Sequence, residues 1–157
     1  MSGKHKSKEE MIKLINKDTI RLLSECNAGV KMAVTSIDDV IEYVEDKKLK
    51  GLLEQSKKDH EDLGNQTHEL LNKYHDEGKE PNPMAKVMSW MKINMKLMQE
   101  PKDPIVADLI VDGCNMGVKS LSKYLNQYAA ADEDSKNITK DLISIEEKLS
   151  KELRDYL

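Results

Sequence analysis

The chain has 157 residues, the length of one ordinary domain, and we expect a single domain over residues 1–157. Its formal charge of −4 argues against a general nucleic-acid binder, because such a protein needs a basic surface. Charged residues make up 34% of the chain, Phe is absent and only four prolines occur, a composition that favours helices over sheets.

The N-terminus and the two cysteines bear on where the protein resides. No run of residues approaches the ~18 consecutive apolar positions of a transmembrane helix. Residues 1–8 are basic and have no apolar stretch behind them, so they indicate a flexible tail and not a secretory signal. Two cysteines are too few for a disulfide framework, and we expect a cytoplasmic protein.

The first half of the chain predicts two long amphipathic helices. Apolar residues advance by three, four or seven positions over 9–45, which indicates one long helix. Residues 46–48 are a weak break, because a single helix over 9–76 would be ~100 Å long and could not fold on itself. A second helix is predicted over 49–76. The apolar stripe of the first helix is Ile12, Ile15, Leu22, Cys26, Val30, Ala33, Ile37, Ile41 and Val44, and the second follows Leu49, Leu53, Ser56, His60, Leu63, Thr67, Leu70 and Tyr74.

The second half predicts a short helix and two longer ones. Asn82 followed by Pro83 is typical of a helix start, and we predict a short helix over 83–99. Asp103 followed by Pro104 repeats the signal and opens a helix over 104–129. An acidic turn then precedes the last helix, over 134–157, where negative charge suits the helix dipole.

The lengths of the links between helices predict the architecture. Tight links make the neighbours within each pair antiparallel, and the long link between the pairs permits a crossover along the bundle. The sequence therefore predicts an all-α four-helix bundle of two antiparallel αα-hairpins with a short crossover helix.

A short internal repeat supports this reading. Residues 26–31 match residues 114–119 at five of six positions, which favours a duplicated hairpin. The match predicts that Cys26 and Cys114 lie at similar depth. Gly29 and Gly117, in the helix interiors, are interpreted as packing devices that allow close helix approach or leave room for a bulky neighbour.

This order of helices, with a mid-helix glycine in each half, resembles the uncharacterised bacterial branch of the ferritin-like superfamily, a domain of unknown function. The resemblance covers residues 9–157. In active members of that superfamily each hairpin supplies a Glu from its first helix and an E-x-x-H from its second, which together hold two iron ions. In this chain no acidic residue stands three positions before any His, and the last helix contains no His. The resemblance therefore implies the ferritin-like fold with a degenerate di-iron site.

His60 is the only histidine on a predicted core face, and two interpretations of it stay open. A neutral His60 would hydrogen-bond to Ser56, Thr67 or another helix, which is the commoner state of a buried histidine. The alternative is an unorthodox site for iron, manganese or zinc. The thiols of the two cysteines are predicted to be inert, since a disulfide needs Cα atoms within ~7 Å. The candidate metal ligands are His60, Cys26, Cys114, Asp59 and Glu146.

The segment 84–98 is a basic, methionine-rich amphipathic stretch. We predict that its apolar stripe lies over the bundle and closes the core. The alternative is docking on a partner helix or a membrane surface. The candidate interaction residues are Met84, Met88, Trp90, Met91, Met95 and Met98.

The pattern as a whole predicts a non-enzymatic protein without a cofactor that acts by contact with a protein partner or by self-association. It predicts neither nucleic-acid binding nor membrane-surface binding. Nothing in the sequence pairs a nucleophile with a base or forms a phosphate-binding loop. The first alternative is a metal-binding protein or oxidoreductase with a site around His60. The second is a membrane-surface or partner-binding module that acts through residues 84–98.

Overall fold

The computed structural model describes residues 6–76 and 102–157. Within these residues the chain forms four α-helices and no strand, which confirms the predicted all-α class. The predicted crossover helix over 83–99 and residues 1–5 of the predicted tail lie outside the described residues. The helices are α1 (Lys8–Ile41), α2 (Lys47–Lys73), α3 (Asp103–Gln127) and α4 (Glu133–Glu152), and a 3-10 turn (Leu153–Tyr156) follows α4.

Side-chain caps fix where three of the helices begin. Ser7 accepts from the backbone N–H of Glu10 at 3.2 Å and Glu10 accepts from the N–H of Ser7 at 3.4 Å, a reciprocal capping box at the start of α1. Asp46 caps α2 and Asp132 caps α4, each through a bond of 2.8 Å to a backbone N–H three residues later. Such caps satisfy N–H groups that have no partner inside the helix.

The link between α1 and α2 is held by a residue from the second half of the chain. The carboxylate of Asp103, at the start of α3, accepts from the N–H groups of Glu45 and Asp46 at 2.8 and 3.0 Å. The first helix accordingly ends at Ile41, four residues earlier than predicted, and the break covers 42–46.

The four helices enclose two apolar clusters. Helix α1 packs against α2 and α3, α4 packs against the same two helices, and α1 also contacts α4. The predicted stripe of α2 is confirmed from Leu49 to Thr67, whereas Ile12 in α1 is 51% exposed, so its predicted core position is wrong. One cluster is built around Ile37, Val40, Leu49, Leu53, Val106, Ala107, Ile110, Cys114, Leu149 and Leu153, the other around Leu23, Cys26, Val30, Leu63, Leu71, Leu121, Ile138 and Leu142.

The glycines that allow close packing are only partly the predicted ones. A Cβ at Gly64 would lie 2.9 Å from Cγ1 of Val30, so this glycine sets the approach of α2 to α1. Among the described residues nothing lies within 4 Å of the place that a Cβ at Gly29 would take, so they give no support to its predicted packing role.

Helix α1 extends beyond the other described helices. The N–H of Asp132, which caps α4, donates to the hydroxyl of Thr19 at 2.8 Å, and the N–H of Ala130 donates to the carboxylate of Asp18 at 3.0 Å. Tyr74, at the end of α2, donates to Asp132 at 3.3 Å. The ends of the other helices therefore lie level with Asp18, and α1 continues past them for about three turns, or ~16 Å. We call the segment Lys8–Asp18 the α1 extension.

None of the helices that the structure describes is long and apolar enough to cross a membrane.

Candidate functional site

His60 lies on α2 in the interior of the bundle and is 1% exposed. Its Nδ1 is 2.7 Å from the backbone carbonyl oxygen of Ser56, one turn earlier in the same helix. A carbonyl oxygen only accepts hydrogen bonds, so Nδ1 carries a hydrogen and donates it. The other ring nitrogen is left to face the neighbouring helix.

Glu146 on α4 supplies the partner for that second nitrogen. Its Oε1 lies 2.9 Å from Nε2 of His60, and the residue is 8% exposed. Because Nδ1 is already protonated, the contact holds one further proton, carried either by Nε2 or by the carboxyl group. A buried charge is tolerated when it is paired in this way.

The surroundings of His60 favour the charged ring. Burial by itself opposes the charged form and lowers the pKa, but the hydrogen bond and negative charge of Glu146 act in the opposite direction. The Ser56 carbonyl and the charge of Asp59 add to that effect, and the net result is a pKa above the ordinary value of 6.5. The ring of His60 therefore keeps its positive charge to a higher pH than a free imidazole does.

Helix α3 provides the space for the carboxyl group of Glu146. A Cβ at Gly117 would lie 3.0 Å from Oε2 and 3.3 Å from Cδ of Glu146. Without a side chain at Gly117, the carboxyl group lies directly against the α3 backbone. The predicted packing role of Gly117 agrees with this geometry, and the bulky neighbour is Glu146.

Cys114, one turn before Gly117 on α3, completes the cluster. Burial is the main cause of a raised pKa of its thiol, and the negative charge of Glu146 and a hydrogen bond to it raise the pKa further. The thiol is therefore protonated and donates to the carboxylate. We call His60, Glu146 and Cys114 the polar cluster; it joins α2, α4 and α3.

Cys26 lies elsewhere in the interior. Its Sγ is 3.1 Å from Oγ1 of Thr139, and the Thr139 hydroxyl donates to the Ser135 carbonyl at 2.8 Å, so the Cys26 thiol is the donor to Thr139. Burial raises its pKa to about 12. Thr139 and Glu146 are seven residues apart on α4, or ~10 Å along the helix axis. The two thiols are free. Because their partners on α4 are about two turns apart, the thiols lie at different levels along the bundle and not at the similar depth that the repeat predicts.

The structure thus brings three of the five predicted metal ligands together. Asp59 instead accepts a hydrogen bond of 2.9 Å from the side chain of Gln55, beside a surface groove between α2 and α4, and Cys26 faces Thr139. Across residues 6–76 and 102–157, no three or more His, Cys, Asp and Glu side chains are arranged to hold a metal ion. The predicted interaction residues of the segment 84–98 all lie outside the described residues.

Sequence reasoning named Glu146 as a possible ligand but missed it as a core residue. Its signal was present, because Glu146 stands four residues after Leu142 and three before Leu149, on the buried face of α4. An acidic residue at such a position indicates a buried partner. The roles of Thr139 and of Gly64 had no comparable signal.

The chemistry of the polar cluster follows from the relative positions of its three side chains. The Glu146 carboxylate lies between the thiol and the imidazole, whereas a nucleophilic thiol needs a neighbouring base and a lowered pKa. The raised pKa of Cys114 has the opposite effect. The cluster is suited to holding a proton and joining three helices, and not to nucleophilic attack.

Comparisons of the chain with protein-family models, with curated proteins and with solved structures each found no match.

Proposed function

We propose that this protein is a non-enzymatic helical bundle that acts through contact with other proteins and whose interior is held by a histidine–glutamate pair where ferritin-like proteins hold two metal ions. The proposal includes the ferritin-like arrangement of two antiparallel hairpins and a cytoplasmic location.

The observation that supports it is the composition of the interior. A di-iron site needs several inward-facing carboxylates to balance its charge. Among the described residues Glu146 is the only buried acidic side chain, and it already binds the ring of His60 and the thiol of Cys114. These groups satisfy one another and leave a single carboxylate where a metal pair needs several.

The ferritin-like arrangement is supported by two contacts between α1 and α2. Val30 of α1 lies against Gly64 of α2, and further along α1 Asp38 forms an ion pair of 2.7 Å with the earlier α2 residue Lys57. The positions on the two helices change in opposite senses, as they do in an antiparallel hairpin. The short turn between α3 and α4 favours the same relation in the second pair.

Metal analysis of protein purified without chelators tests the proposal. We expect iron, manganese and zinc far below one ion per chain, and no change in the His60→Ala variant or in its control His68→Ala, which removes an exposed histidine from the same helix. Stoichiometric metal that is lost in His60→Ala and retained in His68→Ala would contradict the proposal.

A second candidate is a metal-binding function, because an imidazole, a carboxylate and a thiol from three helices are linked by hydrogen bonds. These side chains are not arranged to hold a metal ion among the described residues, so binding requires them to exchange their mutual hydrogen bonds for metal ligation. Titration with cobalt(II) tests it, because a cobalt–thiolate bond absorbs in the near ultraviolet. This candidate predicts such a band in the wild type and in Cys26→Ser, but not in Cys114→Ser. The absence of a band in all three proteins would rule it out.

A further inference from the structure

The α1 extension carries apolar side chains past the end of the described bundle. Thr19 and Leu22, on the buried face of α1, are 0% exposed, and Ile15 and Ile12 continue that face at helical spacing. The face therefore leads out of the core into a region where α2, α3 and α4 have already ended. Met11 and Ile12 are 44% and 51% exposed there.

The exposed apolar side chains are concentrated on the α1 extension. The exposed large apolar side chains of the described residues are Met11, Ile12, Met116 and Leu157, and only Met11 and Ile12 are neighbours. The segment also begins with its own capping box, which satisfies the first N–H groups of the helix without a tertiary partner. A capped helix with an uncovered apolar face is suited to pairing with another helix.

The charges of the α1 extension favour a second copy as the partner, with its helix antiparallel to the first. Lys8 lies at one end of the apolar face and Asp18 near the other end. In an antiparallel pair of identical segments centred on residue 13, Lys8 of each copy lies opposite the partner's Asp18, and Met11 lies opposite the partner's Ile15. A parallel pair would instead set Lys8 against the partner's Lys8. Opposite charges at both ends favour the antiparallel, two-fold arrangement.

We propose that the α1 extension is a self-association surface, where two copies of this chain pair antiparallel through the face of Met11, Ile12 and Ile15. The inference rests on the proposed protein-contact function and names its partner as a second copy. Two three-turn helices cover less than the about 1,200 Å² of a standard interface, so the dimer is weak and concentration-dependent. The two bundles lie at opposite ends of the paired helices.

Sedimentation of the full chain across protein concentration is the first test. The wild type shifts from one chain towards two as its concentration rises from about 5 to about 500 μM, the range that a micromolar dissociation constant requires. Ile12→Lys weakens dimerisation at least about tenfold, because it places like charges in the apolar face. The matched control is Met116→Lys on α3, where the methionine is 52% exposed, and this variant dimerises like the wild type.

Cysteine cross-linking tests the direction of the pair. Because both natural thiols are buried, a cysteine introduced into the α1 extension is the accessible one. Chains that carry Met11→Cys, mixed with chains that carry Ile15→Cys, form the mixed disulfide in preference to either symmetric one. Preferential cross-linking of Met11→Cys chains to each other would overturn the antiparallel arrangement.

Two further outcomes would overturn the dimer itself. The first is a wild type that is fully monomeric at the highest concentration, which would leave the chain's own segment 84–98 or a different protein as the occupant of this face. The second is an equal weakening of association by Ile12→Lys and by Met116→Lys. Neither outcome alters the proposed function, which fails separately if the same samples contain stoichiometric metal.

Discussion

Glu146 carries the carboxyl group to which two other interior residues are bonded. Its carboxyl group accepts from His60 and Cys114, and it fits between the helices because Gly117 has no side chain. Removal of one member of such a group leaves the others buried without a partner, which costs more free energy than the bond itself contributes. Each of these positions therefore constrains the substitutions that the others tolerate.

The histidine–glutamate pair makes the stability of the protein depend on pH. The pKa of His60 is raised in the folded chain and takes its ordinary value of 6.5 in the unfolded chain. The resulting stabilisation is fully present below pH 6.5 and is lost as the pH rises through the raised pKa of the folded state. A rise of one unit in this pKa would add ~1.4 kcal/mol to the free energy of unfolding at low pH.

We therefore expect the free energy of unfolding of the wild type to fall relative to that of His60→Gln as the pH rises from about 6 to about 8. Urea denaturation at a series of pH values measures this free energy. The series stops at about pH 8 so that the cysteines of the unfolded chain stay protonated. His68→Gln, at an exposed site on the same helix, should follow the wild type. Parallel pH profiles for wild type and His60→Gln would show that the pair does not titrate as described.

Gly117 should resist substitution because of its neighbour. Alanine is normally preferred to glycine in a helix by about 0.5–1 kcal/mol, but the new Cβ would lie 3.0 Å from Oε2 of Glu146, a carboxyl group whose other oxygen, Oε1, is bonded to His60. We expect Gly117→Ala to destabilise the wild type by about 1–3 kcal/mol. In the Glu146→Ala background the same change should stabilise by about 0.5–1 kcal/mol. Denaturant titration measures both, and equal effects in the two backgrounds would contradict the packing argument.

At the scale of the helices, α1 and α2 are in tight contact where Gly64 meets Val30. A Cβ at this glycine would be 2.9 Å from Cγ1 and 3.7 Å from Cβ of Val30, and a β-branched side chain has little freedom to turn away. This contact sets the distance between the two helices of the first pair. It differs from the Gly117 contact because the obstructing group is hydrocarbon near the backbone and not the end of a longer side chain.

We expect Gly64→Ala to cost about 1–3 kcal/mol of unfolding free energy by overpacking. Thermal or urea denaturation measures this loss, and the additional change Val30→Ala should reduce it by providing the missing space. Gly51→Ala is the matched control on the same helix, because a Cβ there meets no atom of the described residues within 4 Å. It should stabilise by about 0.5–1 kcal/mol. If Gly64→Ala behaved like Gly51→Ala, the helices would be free to separate at no cost.

The helices themselves could be predicted from the sequence, and their relative registers could not. The stripe from Leu49 to Thr67 repeats at helical spacing, so it identifies both the helix and its buried face. Periodicity contains no information on which residue of one helix meets which residue of another. For that reason the contacts of His60 with Glu146 and of Cys26 with Thr139, and the different depths of the two thiols, appear only in the structure.

At the scale of the whole molecule, the reactivity of the two thiols depends on how often the bundle opens. Cys26 is 0% and Cys114 4% exposed, and burial raises the pKa of each. A thiol reagent reaches them only when the packing around them is lost, so their reactivity follows the free energy of opening. Exposed thiolate, the reactive form, is absent from the closed bundle.

We expect both thiols to react with a coloured disulfide reagent roughly 1,000-fold more slowly than a free thiol, and to accelerate together as urea is added. A Met116→Cys variant is the control, since that exposed position should react rapidly under native conditions. If one natural thiol reacted quickly without denaturant while the other did not, the helix that covers the reactive thiol would open on its own.

The hydrogen bonds between the first and last helices also constrain how the protein is made. Thr19 and Cys26 of α1 are bonded to Asp132 and Thr139, in each case 113 residues later in the chain. During synthesis at the ribosome α1 and α2 therefore emerge long before α4, and until α4 is translated the surfaces of the first pair that pack against α4 are uncovered. Such half-made intermediates are the ones that chaperones bind and that aggregate when protection fails.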